Sequence, residues 1–181
     1  MRIFGVDPGS ERTGYGCIES SGSRHSLVAS GILSAPARST FPERLFAIHA
    51  GLYALLEHHR PECVAVENIF FARNVRSALK LGHARGVVLL AASQASIPVV
   101  EYSPAEIKRS VVGYGRAEKH QVQAMMKLLL GLDAVPSPHD VADALAVAIC
   151  HIHTSTNVVS RVTGGAVAQP RATRSWRQYR P

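Results

Sequence analysis

The segment DVADALAVAIC at 140–150 constrains this chain more than any other stretch of it. It is apolar nearly all the way round, so a helix formed there has no face to give to water and must be enclosed by other elements. Yet it carries Asp140 and Asp143, three residues apart and therefore on one face of that helix. A buried carboxylate is costly to keep ionised without a compensating charge. The fold must layer other elements around this helix and answer its acids with something cationic.

The rest of the chain says what those layers are. Residues 2–7, RIFGVD, form a short apolar run ending in an acid. Runs at 13–20 and 26–33 read as strands, joined by SSGSR, whose small polar residues suit a hairpin. Thr40 and Glu43 have capping-box spacing, Pro42 sits early, and Phe41, Leu45, Ile48, Leu52, Leu55 and Leu56 recur at helical intervals, which predicts a first helix. A second apolar run ending in an acid, ECVAVE, follows at 62–67. Next come a predicted helix from near Val75 to Gln94, a strand from Ile97 to Tyr102, and a helix started by SPAE at 103–106. Gly113 and Gly115 break that helix, 117–130 resumes it, VPSPH interrupts again, and a last helix is expected from about Pro138 to His151. Strands first, then strands alternating with helices, predict an α/β domain over residues 1–153 with a mixed sheet layered by helices. From Thr154 the apolar periodicity stops, and 154–181 reads as a basic, disordered tail punctuated by Gly164, Gly165 and Pro170.

Asp7 and Glu67 each close a strand whose other residues should be buried. Ligand sites in α/β sheets lie beyond the carboxyl ends of parallel strands, so two strands deliver two acids to one rim, and the last helix adds Asp140 and Asp143. Each acid has an ordinary alternative. Asp140 can complete a capping box with Ser137 ahead of Pro138, Asp7 can cap the turn through Pro8 and Gly9, and Glu67 can pair with an arginine. Their joint occurrence points elsewhere: three or four converging carboxylates can hold two hard divalent ions, Mg²⁺ or Mn²⁺, as in two-metal phosphoryl transfer. The turn DPGSERTG can also bring backbone N–H groups and Thr13 close to a phosphate.

Charge is distributed unevenly. Residues 1–150 hold 15 bases against 13 acids, whereas Arg161, Arg171, Arg174, Arg177 and Arg180 face no acid at all. Residues 68–100 carry Arg73, Arg76, Lys80 and Arg85, again without an acid. Such basic stretches suit a polyanion such as nucleic acid, although a solvated face and a solubilising tail account for them nearly as well. No apolar run is long enough to cross a bilayer and no apolar leader follows Met1, so an intracellular protein is expected. Cys17, Cys63 and Cys150, odd in number and set among apolar neighbours, read as reduced core thiols.

Five segments, DPGSERTGYG (7–16), VENIFFARN (66–74), SALKLGHARGVVLLAA (77–92), EYSPAEIKRSVVGYGRAEKHQV (101–122) and HDVADALAVAICH (139–151), resemble the RuvC family of bacterial Holliday junction resolvases, in order and without large gaps. The resemblance implies a ribonuclease H-like fold, a mixed five-stranded sheet flanked by helices. It further implies a cytoplasmic homodimer that nicks two opposed strands of a four-way DNA junction in recombination and repair. Two Mg²⁺ ions per subunit are implied, with Mn²⁺ plausible, and a branch-migration motor complex as a further partner. The family's acidic tetrad falls on Asp7, Glu67, Asp140 and Asp143, and Lys108 and Lys119 match lysines near the scissile phosphate.

Phe70 matches a base-wedging phenylalanine, and Phe71 beside it is either a second stacking ring or a core plug. Arg73, Arg76, Lys80 and Arg116 are candidate phosphate contacts, with plain solvated charges as the alternative. Ala78, Gly82 and Gly86 make a smooth stripe on the long helix, open to an intrachain contact or, as the resemblance favours, a dimer seam. Trp176 and Tyr179 among the tail arginines either touch DNA or belong to a plain tail. Two rivals remain on the sequence alone: an RNA-processing nuclease on the same fold, and a protein that holds branched DNA without cutting it.

Overall fold

The structure, a computed structural model, describes residues 1–68 and 74–163, with side chains described as far as residue 155. Strands β1 (Arg2–Asp7), β2 (Arg12–Ser21) and β3 (Arg24–Ser34) form an antiparallel meander, and β4 (Cys63–Glu67) and β5 (Val99–Tyr102) join it in parallel. The order β3-β2-β1-β4-β5 is the expected mixed five-stranded sheet. Its hairpin turns at Gly22, whose φ of 60° lies in the left-handed region that glycine enters without a Cβ penalty.

Among the described residues five helices cover the sheet: α1 (Phe41–His59), α2 (Val75–Gln94), α3 (Pro104–Val112), α4 (Lys119–Leu130) and α5 (His139–Thr163). Side chains alternate across a strand, so Phe4, Val6, Cys17, Val64 and Val66 pack with Leu52, Leu56 and Val88 of α1 and α2. Ile3, Ile18, Cys63 and Ala65 turn to the opposite face, against Met126, Leu145 and Ile149 of α4 and α5. α5 lies directly on the strands: a Cβ at Gly5 would overlap the Ala144 carbonyl oxygen, and one at Gly14 the Asp140 carbonyl. From Val141 to Cys150 all but one residue of α5 is buried, and the exception is Asp143.

Two boundaries differ from expectation. Ile97 and Pro98 precede β5, because the Ile97 N–H closes the end of α2 by donating to the Ala92 carbonyl at 3.0 Å. α5 starts at His139, one residue after Pro138, and runs on to Thr163, so the helix does not stop at His151 and residues 154–163 are not an unstructured tail. Thr154 and Ser155 bond back to the carbonyls of Cys150 and Ile152, and no glycine or proline intervenes before Gly164. The remaining tail, including Arg171, Arg174, Trp176, Arg177, Tyr179 and Arg180, lies outside the described residues. Cys17, Cys63 and Cys150 are buried and free of disulfides. No helix among the described residues is long and apolar enough to cross a membrane.

Candidate active site

Alternation along the strands decides where the acids point. Asp7 shares a face of β1 with Ile3 and Gly5, and Glu67 shares a face of β4 with Cys63 and Ala65; both faces look toward α5. The parallel register pairs Val6 with Val66, so the next residue on each strand, Asp7 and Glu67, falls at the same level of the rim. Asp143 comes down from the first turns of α5. The three acids line one cavity of about 260 Å³ together with Lys108 of α3 and Lys119 of α4, and Pro104, Ile107 and Val122 complete its wall. These apolar wall residues were not anticipated; the capping box of Ser103 and Glu106, which sets α3 at the end of β5, was the signal that could have found Pro104 and Ile107.

The electrostatics are strained in one sense. Burial pushes the Asp7 carboxyl up to about 8, reinforced by the charges of Glu67, Asp143 and Asp140 and by a hydrogen bond with Glu67. Glu67 is raised as well, first by burial and then by Asp143, while Lys119 and Lys108 pull the other way. Lys119 Nζ stands 3.4 Å from Asp143 Oδ2, and that carboxylate is the main reason the ammonium is held above its ordinary range. Asp140 does not line the cavity. Its carboxylate turns to Arg12, with Oδ2 3.4 Å from Nε, although its charge still bears on Asp7. Arg12 is the functional candidate that sequence reasoning missed, and only a known β2–α5 pairing could have found it.

The donor set fits a hard divalent cation: four carboxylates, two of them half-buried and mutually repelling at a strand rim, are the oxygen ligands that Mg²⁺ and Mn²⁺ take. Among the described residues, however, no three His, Cys, Asp or Glu side chains converge at joint ligand distances. Asp7 and Glu67 are drawn instead to each other, Asp143 to Lys119 and Asp140 to Arg12.

Other sequence candidates fall elsewhere. Thr13 is fully buried, and its hydroxyl donates to the Gly9 carbonyl at 2.9 Å while accepting from the Gly9 N–H. It braces the turn after Asp7 and has no free face for a phosphate, contrary to expectation. Arg76 and Lys80 are exposed on α2 and Arg116 is exposed between α3 and α4, all away from the cavity wall. Phe70, Phe71 and Arg73 lie outside the described residues. Gly82 and Gly86 meet no atom within 4 Å of where a Cβ would stand, so no intrachain helix covers the smooth stripe among the described residues.

Comparison with known proteins gives this arrangement its context. A family model described as crossover junction endodeoxyribonuclease RuvC matches residues 3–151. The crossover junction endodeoxyribonuclease RuvC of Desulfitobacterium hafniense is 48% identical, covering 92% of this chain and 100% of the relative. The solved structure of Thermus thermophilus RuvC superposes with a TM-score of 0.80 at 37% identity, over 87% of this chain and 97% of that one. Thermus thermophilus RuvC in complex with Holliday junction substrate matches with a TM-score of 0.80 at 34% identity, over 87% of this chain and 96% of that one. The mixed five-stranded sheet flanked by helices is the fold of these structures.

Proposed function

Because the chain belongs to the RuvC family of crossover junction endodeoxyribonucleases, we propose that it resolves four-way DNA junctions through the cavity bounded by Asp7, Glu67 and Asp143. The observation that supports this most is the meeting of three acids from β1, β4 and α5 with Lys108 and Lys119 at one rim. It is a nuclease of a metal-dependent family. In the present reading Asp7, Glu67, Asp140 and Asp143 hold two divalent ions, Mg²⁺ with Mn²⁺ as a substitute. When bound, such a pair supplies activation of a water and stabilisation of the leaving oxygen in an in-line displacement.

The chain's own groups do the rest. Asp7 and Glu67, whose protons are held by burial, give them up to a cation and so become ligands at neutral pH. Lys119, poised on Asp143, and Lys108 across the cavity grip the scissile phosphate and offset charge that develops on it. Arg73, Arg76, Lys80 and Arg116 hold the arms of the junction through phosphates, and Phe70 and Phe71 stack on bases freed at its centre.

A two-fold junction cut on two opposed strands needs two such sites. The face of α2 supplies a seam for a homodimer: Leu79 and Leu90 stand exposed beside the bare backbone of Gly82 and Gly86, in a groove closed on one side by Leu45. A branch-migration motor complex as a further partner and a cytoplasmic location complete the proposal, in keeping with an enzyme of recombination and repair. The test is a synthetic four-way junction with Mg²⁺, with and without chelator, using the wild type and Asp7→Asn. Symmetric nicks by the wild type, none under chelation, and binding without cutting by the variant are expected. Cleavage of an RNA or an RNA–DNA hybrid in place of the junction would overturn the substrate assignment.

A further inference from the structure

Strand β2 and helix α5 meet through a row of alternate positions. Arg12, Gly14 and Gly16 share one face of β2, and Cβ atoms at the two glycines would run into the Asp140 carbonyl and the Leu145 side chain. The first turn of α5 is therefore seated against backbone at Gly14. Two residues earlier on the same face, the Arg12 guanidinium meets the Asp140 carboxylate, Nε to Oδ2 at 3.4 Å. Glu11, in the bend that precedes β2, is engaged by Arg44 at 3.5 Å. Asp140 thus has its place fixed by packing and its charge answered by a single arginine.

The second cation at the rim behaves differently. Lys119 answers Asp143 from within the cavity, where Asp7 and Glu67 also hold its charge. Arg12 lies outside that cavity, is largely exposed, and has the Asp140 carboxylate as its one ion-pair partner recorded among the described residues. A pair of this exposed kind is weak, and a divalent ion competing for the same carboxylate displaces the guanidinium. We infer that Arg12 is the internal counter-ion of Asp140, a positioning residue that keeps this carboxylate at the rim and sets how readily a divalent ion claims it. The inference rests on the divalent-ion reading of the four acids and adds a competitor to it: an ion that uses Asp140 enters against Arg12.

The test needs no DNA and no cleavage. The full chain is titrated with Mg²⁺ alone and the rise in Tm is followed for the wild type, Arg12→Gln, Arg12→Lys, Asp140→Asn and the double variant Arg12→Gln/Asp140→Asn. The inference predicts that Arg12→Gln moves the midpoint of the titration to roughly two- to fivefold lower Mg²⁺. Arg12→Lys, which keeps the charge, stays near the wild type, and Arg12→Gln has no effect once Asp140 is Asn. An unchanged midpoint in Arg12→Gln, or the same shift with and without Asp140, overturns the role given to Arg12 while leaving the metal reading intact. Absence of any Mg²⁺-dependent rise in the wild type overturns the metal reading and the inference together.

Discussion

Burial and three neighbouring carboxylates hold the Asp7 proton to about pH 8, far above the value of 3.8 that an ordinary aspartate shows. A folded pKa above the unfolded one means that the folded state binds the proton more tightly. The stability Asp7 lends is complete below about pH 4 and is lost as pH rises through about 8. Glu67, raised for the same first reason, adds in the same direction. In chelator, therefore, the wild type should lose Tm between pH 6 and 8.5, and Asp7→Asn, which has no proton to lose there, should lose less. At pH 8 the variant should melt at least about 3 °C above the wild type. Parallel melting curves for the two proteins across that range would contradict the placement of Asp7 among like charges. Adding Mg²⁺ should reverse the order, because the acid that destabilises the protein in chelator is the one that binds the ion.

At the scale of elements, close approach carries the argument. A Cβ at Gly14 has the Asp140 carbonyl in its way, and backbone cannot be repacked as a flexible side chain can. Gly14→Ala should lower stability by about 1–3 kcal/mol. It should also reduce cleavage at temperatures where the variant is still folded, because the start of α5 moves and takes Asp140 and Asp143 with it. Loss of stability with full cleavage would mean that the acids do not depend on this seat. The same elements show what the sequence discloses. Thr40 with Glu43 and Ser103 with Glu106 form capping boxes in the structure as their spacing implies, because a cap depends on residues three apart. Asp7 and Glu67 were legible as strand ends for a similar reason, period two being a local property. Arg12 was not legible, since its partner Asp140 lies at the far end of the chain and only the β2–α5 contact brings them together. The run of α5 past His151 was missed because the polar residues after it break the apolar pattern without breaking the helix.

For the whole molecule, the proposal requires two rims acting on one junction. The chain has a mass of 19.5 kDa, and the wild type should elute in light-scattering chromatography at twice that. Leu79→Glu, which places a charge on the exposed face of α2, should return it to the single-chain mass and convert paired nicking into single-strand nicking. An unchanged mass in that variant would move the seam elsewhere. The central claim is that acids from β1, β4 and α5 form one divalent-ion site, and anomalous diffraction from crystals grown with Mn²⁺ tests it most directly. Two peaks per chain are expected, one bounded by Asp7, Glu67 and Asp143 and one beside Asp140 with Arg12 turned away. Diffraction without a peak at this rim, the Asp143 carboxylate still on Lys119 and that of Asp140 still on Arg12, would contradict it.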